Sequence, residues 1–166
     1  MDLGFHGRVE KMILKGIVNE DFVNYKEPSF FILFPKCSFK CDLEAECQVC
    51  QNSELAKAKN INVSIDSVVK QYTENNITKA IVCGGLEPLD SMKDLLDLIK
   101  AFRKVTEDPI IIYTGYNESE VDKLLFAQFT NIIIKFGRFI PNRPHKHDEV
   151  LGVELSSDNQ YAMKIS

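Results

Sequence analysis

No apolar run in this sequence approaches the roughly 20 residues that an α-helix needs to span a bilayer. The longest runs, Phe30 to Phe34 and Ile110 to Tyr113, have the length of buried strands. The N-terminus, Met1 to His6, lacks the charged and then apolar pattern of a secretory signal. We therefore expect a cytoplasmic protein with no membrane partner.

Basic tracts are also missing. Lysines and arginines are scattered along the chain and the formal net charge is −4, whereas nucleic-acid binding needs clustered cations along the phosphates. This argues against nucleic acid as the main partner. With 166 residues, 45% of them hydrophobic and 27% charged, the chain has the size and composition of one globular domain. We expect a single domain over residues 1–166, with residues 1–28 as an N-terminal extension and residues 29–160 as the core.

Short apolar runs alternate with helical periodicities from residue 29 onwards. The strands are predicted at 29–34, 79–83, 110–114 and 131–136, and the helices near 65–72, 92–102 and 121–125. Ser64 is placed to cap the first of these helices. Strands that alternate with helices indicate an α/β fold with a mainly parallel sheet.

Four segments that contain cysteine or glycine directly follow the predicted strands. They are the loop that begins at Cys37, the pair Gly84 and Gly85, the pair Thr114 and Gly115, and Gly137. The carboxyl ends of parallel strands share one edge of a sheet, and ligands bind at that edge. We therefore expect the four segments to meet there.

The five cysteines are unevenly spread. Cys37, Cys41, Cys47 and Cys50 fall within fourteen residues, whereas Cys83 stands apart at the end of a predicted buried strand. In a reducing compartment such a cluster is more often a metal site or redox centre than a set of disulfides. Cys83 is expected to pack in the core as a small apolar side chain.

The residues of the cysteine loop leave two kinds of metal site open. Three thiolates with one open iron make a cluster that both donates an electron and binds a substrate, whereas four thiolates make an electron carrier or a structural zinc site. Only five residues separate Cys41 from Cys47, which is short for two zinc knuckles. The spacing thus favours iron–sulfur over zinc without deciding the number of ligands.

Several motifs, taken in order, resemble one family. Cys37 to Cys41 is similar to the opening of the radical-SAM signature Cys-x3-Cys-x2-Cys, and Cys47 to Asn52 is similar to its close. The segment with Gly84, Gly85, Glu87 and Pro88 resembles the Gly-Gly-Glu-Pro motif, which in that superfamily holds the methionine amine of S-adenosylmethionine. The segments 113–116, 135–140 and 156–160 resemble later segments of the activating proteins of anaerobic ribonucleotide reductases.

The resemblance implies a partial (β/α) barrel with a [4Fe–4S] cluster that cleaves S-adenosylmethionine to a 5′-deoxyadenosyl radical. In the activating subfamily, this radical abstracts a hydrogen atom from a glycine of a large glycyl-radical enzyme, such as anaerobic ribonucleotide reductase. A flavodoxin or a ferredoxin-type protein is the implied electron donor. The implied cofactor-binding residues are Gly84, Gly85, Glu87, Pro88, Tyr113, Thr114, Gly115 and Arg138.

The cysteine loop departs from the family pattern by six inserted residues and a fourth cysteine. If the insertion follows Cys41, the cluster ligands are Cys37, Cys41 and Cys50; if it follows Cys37, they are Cys37, Cys47 and Cys50. We favour the first set because Cys37 to Cys41 matches the opening of the signature. The alternative functions are a radical-SAM enzyme for a small molecule and a non-catalytic four-cysteine iron–sulfur or zinc module.

Overall fold

The computed structural model describes residues 10–37 and 53–166 of the chain. The strands are β1 (Lys11–Leu14), β2 (Gly16–Asp21), β3 (Ser29–Phe34), β4 (Ile61–Ser64), β5 (Ala80–Gly85), β6 (Ile110–Tyr113), β7 (Ile132–Phe136), β8 (Lys146–Asp148), β9 (Val153–Leu155) and β10 (Tyr161–Lys164). The α-helices are α1 (Ser53–Ala56), α2 (Ile65–Thr73), α3 (Met92–Arg103) and α4 (Leu124–Ala127), and 3-10 turns occupy Pro88–Ser91 and Glu118–Glu120.

Six strands form the main sheet in the order β10-β7-β6-β5-β3-β2. The four central strands β3, β5, β6 and β7 are parallel to one another. The edge strands β2 and β10 pair antiparallel with β3 and β7. The four strands predicted from the sequence are therefore confirmed, and they are the parallel ones.

Side chains alternate between the two faces of this sheet, as the geometry of a strand requires. On β5, Ile81 and Cys83 belong to the larger hydrophobic core, which the helices cover. Val82, between them, belongs to a smaller core on the opposite face. Because both faces are covered, the central strands read as continuous apolar runs.

The two longer predicted helices are confirmed. The Ser64 side chain accepts a hydrogen bond of 3.0 Å from the Ser67 amide and so caps α2. The apolar faces of α2 and α3 pack on the larger core. The third predicted helix is a single turn, Leu124–Ala127, and Val121 lies before it.

The smaller core lies beneath two connecting segments. Tyr25, from the β2–β3 connection, packs with Leu151 and Leu155 from the region around β8 and β9. The Lys26 amide donates to the Leu151 carbonyl at 2.8 Å, which joins the two segments. They therefore form a partial cover over the face of the sheet that the helices leave open.

Two short pairings complete the described structure. Strand β1 pairs antiparallel with β4, and β8 pairs antiparallel with β9. Within residues 10–37 and 53–166, no helix combines the length and the apolar character that a membrane crossing demands.

Candidate functional site

A cavity of about 410 Å³ lies where the parallel strands end, on the face of the sheet with the smaller core. Its wall contains Cys37, Gly84, Gly85, Glu87, Tyr113, Thr114, Gly115 and Gly137. The predicted meeting of four segments at one edge is thus confirmed for the residues that the structure describes. The volume falls within the range of small-molecule sites.

Cys37 brings the start of the cysteine loop to the cavity. It follows β3 by three residues and lies on the cavity wall, partly exposed. Cys41, Cys47 and Cys50 lie outside the described residues. In the part of the chain that the structure describes, no three potential ligand side chains converge on a metal position.

Gly84 and Gly85 are required for different reasons. A Cβ atom on Gly84 would lie 2.8 Å from Cε2 of Phe31, another residue of the cavity wall. Gly85 has a φ of +78°, and a Cβ atom there would lie 2.9 Å from Cα of Leu33. Glycine at 84 therefore leaves space at the cavity wall, and glycine at 85 allows the backbone to turn against β3.

Glu87 holds three segments of the cavity wall together. Its Oε1 atom accepts hydrogen bonds from the Thr114 hydroxyl at 2.9 Å and from the Gly115 amide at 2.7 Å. Its Oε2 atom accepts from the Leu89 amide at 3.1 Å, which caps the 3-10 turn that follows. Its own amide donates to the carbonyl of Lys36 at 2.7 Å, one residue before Cys37.

The Glu87 carboxyl is only 6% exposed. Burial raises its pKa to about 7, while the three donated hydrogen bonds act in the opposite direction. Asp90 adds a smaller upward contribution through charge repulsion. Desolvation is therefore the larger effect, as expected for a carboxyl group away from water.

Lys135 and Tyr113 form a neighbouring part of the wall. They are register partners on β7 and β6, and the Lys135 Nζ atom lies 5.6 Å from the centre of the Tyr113 ring. Nζ also donates to the Gly137 carbonyl at 3.2 Å, and Lys135 is 7% exposed. The Tyr113 hydroxyl donates to the Asn24 carbonyl, and burial raises the pKa of Tyr113. The cavity thus contains a buried cation beside an aromatic ring.

Two of the residues predicted to bind the cofactor lie beside the cavity wall and are not part of it. Pro88 is buried at the start of the 3-10 turn. Arg138 donates to Glu120 Oε1 at 2.8 Å, and its guanidinium lies 5.9 Å from the centre of the Tyr116 ring. The structure shows Arg138 in contact with its own chain, and its predicted cofactor role stays a prediction.

The buried thiol of Cys83 is 1% exposed in the larger core, on the other face of β5 from the cavity. Burial raises the pKa of this thiol to about 12. The prediction that Cys83 is a core residue is confirmed.

Sequence reasoning did not single out several wall residues. Lys135 was available as a signal, because it is the one charged residue in the apolar strand β7. Phe31 lies on the face of β3 opposite its fully buried neighbours. Phe139 lies in the segment 135–140 that carries part of the family resemblance. Others come from segments without periodicity and gave no signal: Val23, Asn24, Val153, Glu154 and Leu155.

The comparisons with known proteins now add to this geometry. Residues 30–161 match a family model described as a 4Fe-4S single cluster domain. The chain belongs to this family. The match runs from β3 to the first residue of β10 and includes all four clustered cysteines. Searches of curated proteins and of solved structures found no match.

Membership of the 4Fe-4S single cluster domain family confirms the predicted [4Fe–4S] cofactor. It also favours the iron–sulfur interpretation of the cysteine loop over zinc. The family description concerns the cluster alone, so the reaction has to be argued from the cavity.

Proposed function

We propose that this chain uses its [4Fe–4S] cluster to cleave S-adenosylmethionine reductively to methionine and a 5′-deoxyadenosyl radical. We further propose that the radical activates a large glycyl-radical enzyme, such as an anaerobic ribonucleotide reductase. One electron enters from a flavodoxin or ferredoxin-type donor. The cluster, when bound, supplies that electron to the sulfonium group.

The observation that carries this proposal is the shared cavity. The first cysteine of the cluster loop, the Gly84–Gly85 turn and the Thr114–Gly115 turn contribute to one wall. An electron donor and an electron acceptor have to lie close together for reduction, and a single cavity meets that requirement. An electron carrier or structural metal site needs no small-molecule cavity beside its cysteines.

The wall also suits the chemistry of S-adenosylmethionine. The absence of a side chain at Gly84 leaves the peptide groups of the turn open to a ligand. Lys135 brings a side chain of the type that binds carboxylates to the wall, and Phe31 and Tyr113 contribute aromatic rings. These residues fit a ligand that has an amino acid part at one end and an aromatic base at the other.

For the cluster, we propose the ligands Cys37, Cys41 and Cys50, with Cys47 as the additional cysteine. Three thiolates would leave one iron of the cluster open to bind S-adenosylmethionine. Cys37, which both possible sets share, lies on the cavity wall, and the match of Cys37 to Cys41 with the opening of the signature favours Cys41 over Cys47.

A partner glycine needs a route from the surface to the cavity. Val23 lies on the cavity wall and is 74% exposed, so this wall extends to the protein surface. The four adjacent parallel strands, with helices packed on one face, support the partial (β/α) barrel that we propose for the fold. Access of this kind suits a chain that acts on a loop of another protein.

Product analysis tests the proposal. Protein reconstituted anaerobically with iron and sulfide, then given S-adenosylmethionine and dithionite, should form 5′-deoxyadenosine and methionine. Cys37→Ala should lose both the cluster and the products. Cys83→Ala is the matched control, since this cysteine lies in the core on the other face of the sheet, and it should retain both.

An intact cluster that yields no 5′-deoxyadenosine would contradict the proposed cleavage and would favour the non-catalytic iron–sulfur module. Cleavage without hydrogen transfer to any glycyl-radical partner would favour a small-molecule substrate.

A further inference from the structure

The Glu87 carboxylate is directed towards its own chain. Oε1 accepts two hydrogen bonds, from Thr114 and Gly115, and Oε2 accepts one from the Leu89 amide. A carboxylate has about four lone-pair sites, so three of them are occupied. In the motif that this segment resembles, the expected role is to hold the methionine amine directly.

The three donors belong to two turns, of which the Thr114–Gly115 turn lies on the cavity wall. Thr114 and Gly115 form the turn after β6, whereas Leu89 lies in the 3-10 turn after β5. The Glu87 amide adds a fourth connection, to the Lys36 carbonyl at the start of the cysteine loop. One residue therefore links the ends of three adjacent parallel strands.

We propose that Glu87 is a positioning residue that fixes the Thr114–Gly115 turn and the start of the cysteine loop relative to the Gly84–Gly85 turn. The proposal rests on the proposed function, because it concerns the same cavity. It assigns ligand contact to the backbone of the turns and gives the carboxylate a supporting role. Such a residue determines the distance between the ligand and the cluster without contacting the ligand.

Two substitutions separate positioning from direct contact. Glu87→Gln keeps the length and a carbonyl oxygen that accepts from Thr114 and Gly115, but it removes the negative charge and replaces the oxygen that accepts from the Leu89 amide by a donor. Glu87→Asp keeps the charge but is one methylene shorter, so it loses its reach to the turn after β6. If Glu87 positions the turns, the aspartate variant should bind S-adenosylmethionine more weakly than the glutamine variant. If Glu87 instead pairs directly with a cationic amine, the glutamine variant should bind it more weakly.

The first measurement uses the intact 166-residue chain before iron is added. Amide hydrogen exchange reports on the Gly115 amide, which donates to Oε1. We expect protection of this amide to stay within about threefold of the parent in Glu87→Gln and to fall at least about tenfold in Glu87→Asp. Parent-like protection of Gly115 in Glu87→Asp would overturn the proposal.

The second measurement is calorimetric binding of S-adenosylmethionine to the reconstituted protein. The dissociation constant should rise more in Glu87→Asp than in Glu87→Gln, and the opposite order would overturn the positioning role. Glu74→Gln, which changes an exposed carboxylate at the end of α2, is the control for the altered net charge. If the parent binds no S-adenosylmethionine, the proposed function fails, while the exchange experiment still decides whether Glu87 holds the turn.

Discussion

The buried carboxyl of Glu87 predicts how the stability of the metal-free protein changes with pH. Burial raises its pKa from 4.5 to about 7 in the folded chain. The folded state therefore binds a proton more tightly than the unfolded state does. The resulting stability is fully present below pH 4.5 and is lost as the pH rises through about 7.

The size of the effect follows from the two pKa values. A difference of one unit between the folded and unfolded pKa values corresponds to about 1.4 kcal/mol. Complete titration of Glu87 therefore changes the free energy of unfolding by about 3 kcal/mol. Most of this change is expected between about pH 5 and pH 8. It is a large part of the ~5–15 kcal/mol by which domains are stable.

Denaturant titrations of parent and Glu87→Gln at several pH values measure this change. Subtracting the two unfolding free energies removes the contribution of groups that titrate equally in both proteins. The unfolding free energy of the parent minus that of Glu87→Gln should increase steadily as the pH falls from about 8 to about 5. Two curves that stay parallel over this range would refute a buried, proton-binding Glu87.

Two further predictions concern the cavity and the cluster. Gly84→Ala forces the Phe31 ring to move and should weaken S-adenosylmethionine binding about tenfold with an unchanged iron content. Gly16→Ala is the control, because a Cβ atom there has only ordinary contacts. Equal affinities of the two variants for S-adenosylmethionine in calorimetry would show that Gly84 is not part of the site. Cys41→Ala should abolish iron uptake because it removes a proposed ligand, whereas Cys47→Ala should retain it; iron analysis that gives the reverse result would instead assign Cys47 as the ligand.

The central strands could be predicted because nearly all of their residues are apolar and fill the core. Apolar runs such as Ile110–Tyr113 are buried on both faces, and no helical pattern competes with them. Parallel strands bring their carboxyl ends to one edge, so Cys37, Gly84 and Thr114 could be placed together from the strand positions alone. The N-cap of α2 was equally visible, since Ser64 precedes an amphipathic pattern.

The opposite wall of the cavity could not be predicted in this way. Strand β9 contributes to this wall and pairs with β8; the two strands have three residues each and include exposed charged residues such as Lys146 and Glu154. Their pairing depends on contacts with distant segments, for example the bond from Lys26 to Leu151. Local sequence carries little information about such contacts.

The contacts of Glu87 were hidden for a related reason. The motif around it suggests a ligand contact, and its position before Pro88 suggests a helix cap. Only the folded chain reveals that Thr114 and Gly115, more than twenty residues later, donate to the same oxygen. A hydrogen-bond network between strand ends depends on the three-dimensional arrangement and has no sequence periodicity.

The most direct test of the account is the electron paramagnetic resonance spectrum of the reduced cluster with and without S-adenosylmethionine. In the proposed site, Cys37 lies on the wall of the cavity that would hold the ligand, and one iron of the cluster would be open to that ligand. Addition of S-adenosylmethionine to anaerobically reduced protein should therefore change the spectrum of the cluster, and Gly84→Ala should need a higher concentration for the same change. A spectrum of an intact [4Fe–4S] cluster that stays identical at saturating S-adenosylmethionine would contradict the account.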